Sequence, residues 1–398
     1  MPSAMKIIYI TNARIPTEKA HGLATIKICE AFARAGADVM LVIPWRRNQI
    51  SEDPFSYYSA ERNFRIKKLP SIDFLWLGIG ERVFFIIQLF SFSLMAASWF
   101  FLRYFLWGKL RGVVIFSHDH IPLYFSSFIA PSIFYDIHDY PQNNFFYRRV
   151  LEKSIGCAVQ TKRKIDSLEK DFGVSRKKIV YWPNGTDVAR FDMALSKKEA
   201  RERLGLPIEK KLVVYTGQLF LGRGADTLME TGKFLSGDTV VYIVGGIRED
   251  VKIFKERSLE QKIMNVVLVG QRPWAEMPIW LKAADVLVLP HSGLAHSVGT
   301  KEVSLYYISP MKLFEYIASG RPIVASNIPS IREIVDETMV FFALSDDPHS
   351  FSKAINQVFA DINEAGRRAE NARKESHKYT WDARAEKILE TIRAIKQY

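Results

Sequence analysis

The chain has 398 residues, 48% of them hydrophobic, and a formal net charge of +12. That length and apolar content call for two domains with full cores and exclude a disordered or fibrous chain. Only two cysteines are present, Cys29 and Cys157, which excludes a disulfide framework or a paired-cysteine zinc site and points to a reducing compartment.

The first half alternates short apolar strands with helical stretches. Strands are predicted at 7–10, 39–43, 113–116, 133–137, 158–160 and 179–181, and a first helix at 24–35 with Gly36 just beyond it. Such alternation implies a parallel sheet covered on both faces. The first strand begins almost at once, with no basic stretch, apolar run and small-residue cleavage site before it, so no signal peptide is expected. Gly22 stands near the start of the first helix, where a glycine lets backbone approach a phosphate closely. His118, His120 and His138 follow apolar strands; two histidines one residue apart, without a further ligand at fixed spacing, are too little for a metal centre, and none is expected.

Residues 83–102 carry no charge, and Arg82, Arg103, Lys109 and Arg111 flank them. The run is long enough to span a bilayer. A span would separate strands that should share one sheet, and one sheet cannot straddle a membrane. A helix buried on the sheet and a helix lying in the membrane interface remain; the interface is preferred, because the run is Phe-rich and apolar all round. Phe84, Phe85, Phe92, Arg103, Lys109 and Arg111 are the candidate membrane contacts. Charge supports this: residues 1–190 hold 26 Lys and Arg against 16 Asp and Glu, so the excess sits in the first half.

The turn cluster at 183–187 and the charged stretch 197–211 put a domain boundary near 190, giving a first domain of 1–190 and a second of 191–380, with a last amphipathic helix over about 381–398. The second half repeats the strand logic at 212–216, 240–244, 266–269, 286–289, 323–325 and 340–342. Two doubly wound domains make ligand crevices at the carboxyl ends of their strands.

The most informative stretch runs from Ser309 to Asn327. Ser309 suits an N-cap, Pro310 the first helical position and Gly320 the helix stop. Leu313, Phe314 and Ile317 fall on one face. Lys312 and Glu315, three apart, share the other, one turn inside the positive helix end. Helix amides and Lys312 suit a phosphate, and Glu315 suits vicinal hydroxyls; a solvated Lys–Glu pair is the plain alternative.

The wording of this stretch resembles the nucleotide-binding signature of retaining family 4 glycosyltransferases, which have the GT-B fold: two Rossmann-like α/β domains facing across a cleft, with the terminal helix crossing back onto the first. The resemblance implies that Lys312 and Leu313 lie at the donor diphosphate and Glu315 at the ribose hydroxyls. It places Gln218 and Arg223 in the glycine turn after the second domain's first strand, Gln271 beside the base, and Gly22 near the phosphates. It puts His138 against the donor sugar. Arg223, Lys312 and His138 are then the catalytic candidates. Two departures stand out: Gln218 replaces a frequent Arg, and Tyr307 takes a sugar-proximal position often held by Glu.

The expected activity is transfer of a sugar from a nucleoside-diphosphate sugar to a hydroxyl of a lipid-linked or polysaccharide acceptor, with retention and without a metal or other cofactor. The expected location is cytoplasmic, peripheral at the inner face of the cytoplasmic membrane. A nucleotide-sugar epimerase on the same fold and a non-catalytic membrane-associated scaffold are the alternatives. No nucleic-acid partner is expected, since the basic groups are dispersed and no recognition motif is present.

Overall fold

A computed structural model describes residues 5–78, 80–107, 112–140, 142–219, 224–293 and 305–396, with side chains omitted at 104–107. The chain divides into two compact units, Met1–Pro183 with Trp381–Tyr398, and Asn184–Thr380. The division falls at 183/184 rather than near 190. Asn184 already belongs to the second unit, because its side-chain amide donates to the Ser309 carbonyl at 2.7 Å.

The first unit holds a seven-stranded sheet, every pairing parallel. Its strands are β1 (Lys6–Ile10), β2 (Asp38–Pro44), β3 (Arg65–Leu69), β4 (Val113–Ser117), β5 (Ile133–Ile137), β6 (Ser154–Val159) and β7 (Ile179–Tyr181), in the order β3-β2-β1-β4-β5-β6-β7. β4 and β5 are buried along their whole length, as continuous apolar strands covered on both faces should be. β3 had no sequence expectation. Its RIKKL pattern is polar because it is an edge strand, with Arg65, Lys67 and Lys68 in solvent where charge discourages further pairing.

The uncharged run lies within one helix, Glu81–Trp107, long and apolar enough to cross a membrane. One stripe of it, Gln88, Phe92, Ser93, Ala96, Ala97 and Phe100, is buried. Phe92 and Phe100 pack with Ile8, Ile115 and Leu123 in the core. The expectation that Phe92 meets lipid is therefore corrected: helical spacing turns it inward. Gln88, the amide inside the run, exchanges two hydrogen bonds with Asn12 at 2.9 and 2.8 Å, which satisfies both buried groups and ties the helix to the loop after β1. The opposite stripe is apolar and bare: Val83 is 60% exposed, Ile86 53% and Leu94 58%. Phe85 lies on this side, and Phe84 is half-buried against Phe74. Arg103 lies over the Trp99 ring. Lys109 and Arg111 lie outside the described residues.

The terminal helix Trp381–Lys396 buries Ala385, Ile388, Leu389 and Ile392, packing on β6 and on the first helix, Ala20–Arg34.

The second unit holds a six-stranded parallel sheet of β8 (Lys211–Thr216), β9 (Thr239–Val244), β10 (Val266–Gly270), β11 (Val286–Leu289), β12 (Ile323–Ser326) and β13 (Phe341–Ala343), ordered β10-β9-β8-β11-β12-β13. The strand order reverses between β8 and β11 here, and between β1 and β4 in the first unit. In open α/β sheets these switch points are where loops part and ligands enter.

Candidate functional site

At the second switch point, the turn after β8 is built on glycines because backbones approach closely. A Cβ on Gly224, whose φ is +96°, would overlap the Pro290 carbonyl just after β11. A Cβ on Gly245 would overlap the Gly217 carbonyl, and Gly245 N–H donates to the Gly270 oxygen at 2.8 Å. The ends of β8, β9 and β10 thus draw together as backbone with few side chains.

The helix Met311–Ser319 borders this surface. Leu313, Phe314 and Ile317 are wholly buried, as their spacing predicts. Pro310 is the N-cap, so the helix starts one residue later than expected, and Ser309 makes no capping bond. Its hydroxyl accepts from the Asn184 amide at 3.3 Å instead. Leu313 buries its side chain in the core, and its N–H donates to the Pro310 oxygen at 3.0 Å.

Lys312 reaches back to β8. Its ammonium donates to the Tyr215 hydroxyl at 3.0 Å and lies 4.7 Å from that ring's centre. It occupies the space a side chain on Gly217 would need. Gly217→Ala should therefore displace Lys312 and lower nucleotide-sugar affinity about as much as Lys312→Ala, on the order of tenfold or more for a charged hydrogen bond. Calorimetric titration of both variants checks this; undiminished affinity in Gly217→Ala would disprove the coupling.

Burial pushes the Glu315 carboxyl up to about 7, although Lys312, the Trp274 indole and Arg190 each favour its ionised form. Arg190 stacks on Trp274 at 3.8 Å. Tyr215, Arg190 and Trp274 were not anticipated. Arg190 lies in the short helix Val188–Phe191, just past the turn cluster at 183–187, and only folding brings these three to the signature helix. Gln218 and Gln271 are exposed at the ends of β8 and β10. Tyr307 is buried. Arg223 lies outside the described residues.

The first unit gathers a second cluster at the ends of β1, β4 and β5. His118 and His138 stack with centroids 5.1 Å apart. His118 Nδ1 meets the Tyr9 hydroxyl at 2.7 Å, and burial raises the Tyr9 pKa, so the phenol keeps its proton. His138 Nε2 lies 3.0 Å from Asp136. His21 is driven down to about 4, first by burial and next by neighbouring His118. Gly22 is in the first turn of its helix, and a Cβ there would overlap Thr17 and Tyr58. Close packing explains that glycine, because the space is filled by protein. Among the described residues, no group of three or more His, Cys, Asp and Glu could hold a metal.

Residues 196–375 form a domain matching the family described as Glycosyl transferases group 1. The chain is 24% identical over 255 residues to a D-inositol 3-phosphate glycosyltransferase of Xylanimonas cellulosilytica, covering 61% of this chain and 57% of that one. It is 28% identical over 201 residues to an Escherichia coli UDP-Gal:alpha-D-GlcNAc-diphosphoundecaprenol alpha-1,3-galactosyltransferase, covering 48% of each. The chain thus spans about half to three-fifths of these curated relatives. Among solved structures, Anabaena HepE in complex with UDP and glucose superposes with a TM-score of 0.71 at 16% identity, over 98% of this chain and 99% of that one. Sucrose-phosphate synthase from Thermosynechococcus elongatus gives 0.76 at 17% identity, over 99% of both. The fold is that of the two-domain GT-B glycosyltransferases.

Proposed function

We propose that this chain is a retaining glycosyltransferase of the family 4 type. It moves a sugar from a nucleoside-diphosphate sugar to a hydroxyl of a lipid-linked or polysaccharide acceptor at the cytoplasmic membrane face. The observation that carries this reading is the Lys312–Glu315 helix face beside the glycine turn of β8, within the segment that matches the glycosyl transferase domain. Lys312 and the positive start of its helix suit a diphosphate, and Glu315, once ionised, accepts from ribose hydroxyls. A cation such as Lys312 acts most strongly as charge grows on the departing diphosphate, and the sequence resemblance adds Arg223 to that role, so turnover needs no metal. UDP bound to the Anabaena neighbour and the lipid diphosphate acceptor named for the E. coli relative favour the same substrate classes here.

The membrane part rests on the bare apolar stripe of the long helix and on the exposed apolar side chains of Phe74, Trp76 and Leu77, just before the helix start. Arg47 over Trp76 and Arg103 over Trp99 add cations to that surface, which suits anionic lipid headgroups.

Thermal melting against UDP, GDP, ADP and their common sugar conjugates tests the donor reading. One nucleotide series should raise the melting temperature by mass action, with and without chelator. A protein that melts identically with every nucleotide would refute it, and strict dependence on added divalent metal would refute the metal-free site.

A further inference from the structure

Asp136 sits on β5, wholly inside the first unit, and receives three donors. Arg384 of the terminal helix donates to Oδ1 at 2.6 Å, Gln160 donates to the same oxygen at 3.0 Å, and His138 Nε2 lies 3.0 Å from Oδ2. Arg384 is itself pinned, donating to the Trp182 carbonyl at 2.9 Å. Gln160 is held through its own oxygen by the Lys164 ammonium at 2.7 Å, which also donates to the Ile137 and His138 carbonyls. Arg384 and Asp136 are among the most buried charged side chains of the unit. Such a pair is a weak source of net stability, because desolvation offsets much of its attraction, so its presence calls for another reason.

We propose that Asp136 and Arg384 are positioning residues that lock His138 in the tautomer carrying its proton on Nε2, leaving Nδ1 as a bare acceptor for a substrate hydroxyl. An ionised carboxylate can only accept, so the imidazole nitrogen facing it must carry the proton. Arg384 and Gln160 keep the carboxylate ionised and aimed. The stacked partner cannot replace His138: His118 spends its Nδ1 on the Tyr9 hydroxyl, and its Nε2 faces Asp119 at 3.5 Å. His138 is therefore the imidazole of the pair whose acceptor has no partner among the described residues. Its side chain keeps 26% of its surface, so the ring is open to solvent in part. The terminal helix thereby sets the chemistry of a residue at the carboxyl end of β5, next to the switch-point strand β4. The hydroxyl as ligand rests on the proposed sugar transfer; the tautomer lock does not.

Full-length protein labelled with 15N-histidine reports which ring nitrogen of each of the 8 histidines bears a proton, by long-range 15N–1H correlation at pH 7.5. Loss of one signal set in His138→Asn assigns the residue. The expected wild-type result is a protonated Nε2 and a bare Nδ1. In Asp136→Asn the new amide can donate to Nε2 and drive the proton to Nδ1, a change a merely structural residue would not produce. A wild-type His138 protonated on Nδ1, or exchanging between both forms, overturns the lock, and this reading needs no variant to fold. Asp136→Asn that melts normally yet leaves the proton on Nε2 also overturns it. Once a donor and acceptor are known, a folded Asp136→Asn with turnover lowered about tenfold supports the hydroxyl role, and unchanged turnover removes that role while leaving the spectra to judge the lock.

Discussion

Glu315→Gln should bind a nucleoside-diphosphate sugar at least tenfold more weakly than the wild type at pH 8, and yet melt at a higher temperature. The two effects share one cause. Folding takes a carboxyl with an ordinary value near 4.5 into surroundings that push it up to about 7. A group whose folded pKa is raised binds its proton more tightly when folded, so stability falls as pH climbs from about 4.5 to about 7 and stays reduced above that. Screening by the solvent Glu315 still touches trims the full linkage value to roughly 1–2 kcal/mol. Glutamine carries no charge, so the variant escapes that cost at pH 8, and the two proteins should converge near pH 4. Binding runs the other way. Two ribose hydroxyls need an acceptor, and the carboxylate supplies it on both oxygens, whereas the amide offers only one; a charge-assisted hydrogen bond contributes about 1.5–3 kcal/mol. Wild-type affinity should therefore rise with pH through about 7, and the variant's should be flat. A diphosphate sugar is the right probe, because its phosphates stay ionised over this range. Melting curves and calorimetric titrations at pH 4, 6 and 8 decide the matter. Equal affinity with equal pH slope in both proteins would remove Glu315 from the nucleotide site.

The long helix should split into two behaviours under mutation. Phe92→Ser opens a cavity in the first core and buries a hydroxyl, and should cost about 3–5 kcal/mol of stability. The combined change Phe85→Ser, Ile86→Ser and Leu94→Ser lies on the bare stripe, where substitutions usually stay within about 0.5 kcal/mol each. That triple variant should keep its melting temperature within a few degrees. It should lose most of its binding to anionic vesicles, because each large side chain withdrawn from lipid forfeits up to about 1.5–3 kcal/mol. Wild-type binding should weaken with salt as headgroup attraction is screened, without vanishing, since apolar insertion is not screened. Vesicle co-sedimentation beside thermal melting reads both. Wild-type protein that ignores anionic vesicles, together with a triple variant that unfolds, would make the whole helix core.

What the sequence determined by itself is what neighbours along the chain encode. Apolar runs such as residues 133–137 and 286–289 specify buried parallel strands, because each residue must lose water on both faces of the sheet. The three-residue spacing of Lys312 and Glu315 puts both on one side of a helix whose other side is Leu313, Phe314 and Ile317. The strand–helix rhythm yields two doubly wound units, and the GT-B neighbours share that fold. β3 escaped because an edge strand may be as charged as a loop. Tertiary structure decided the rest. An uncharged run has no visible inside until it meets a sheet, so only packing shows that Phe92 and Gln88 turn inward while Ile86 and Leu94 do not. The Lys312–Tyr215 contact joins residues 97 positions apart, and Arg384 with Asp136 joins residues 248 apart. Charge states follow from such meetings. Desolvation depends on which distant atoms exclude water, and a tautomer depends on which distant carboxylate faces the ring, so neither the raised Glu315 nor the orientation of His138 is written in the residues beside them.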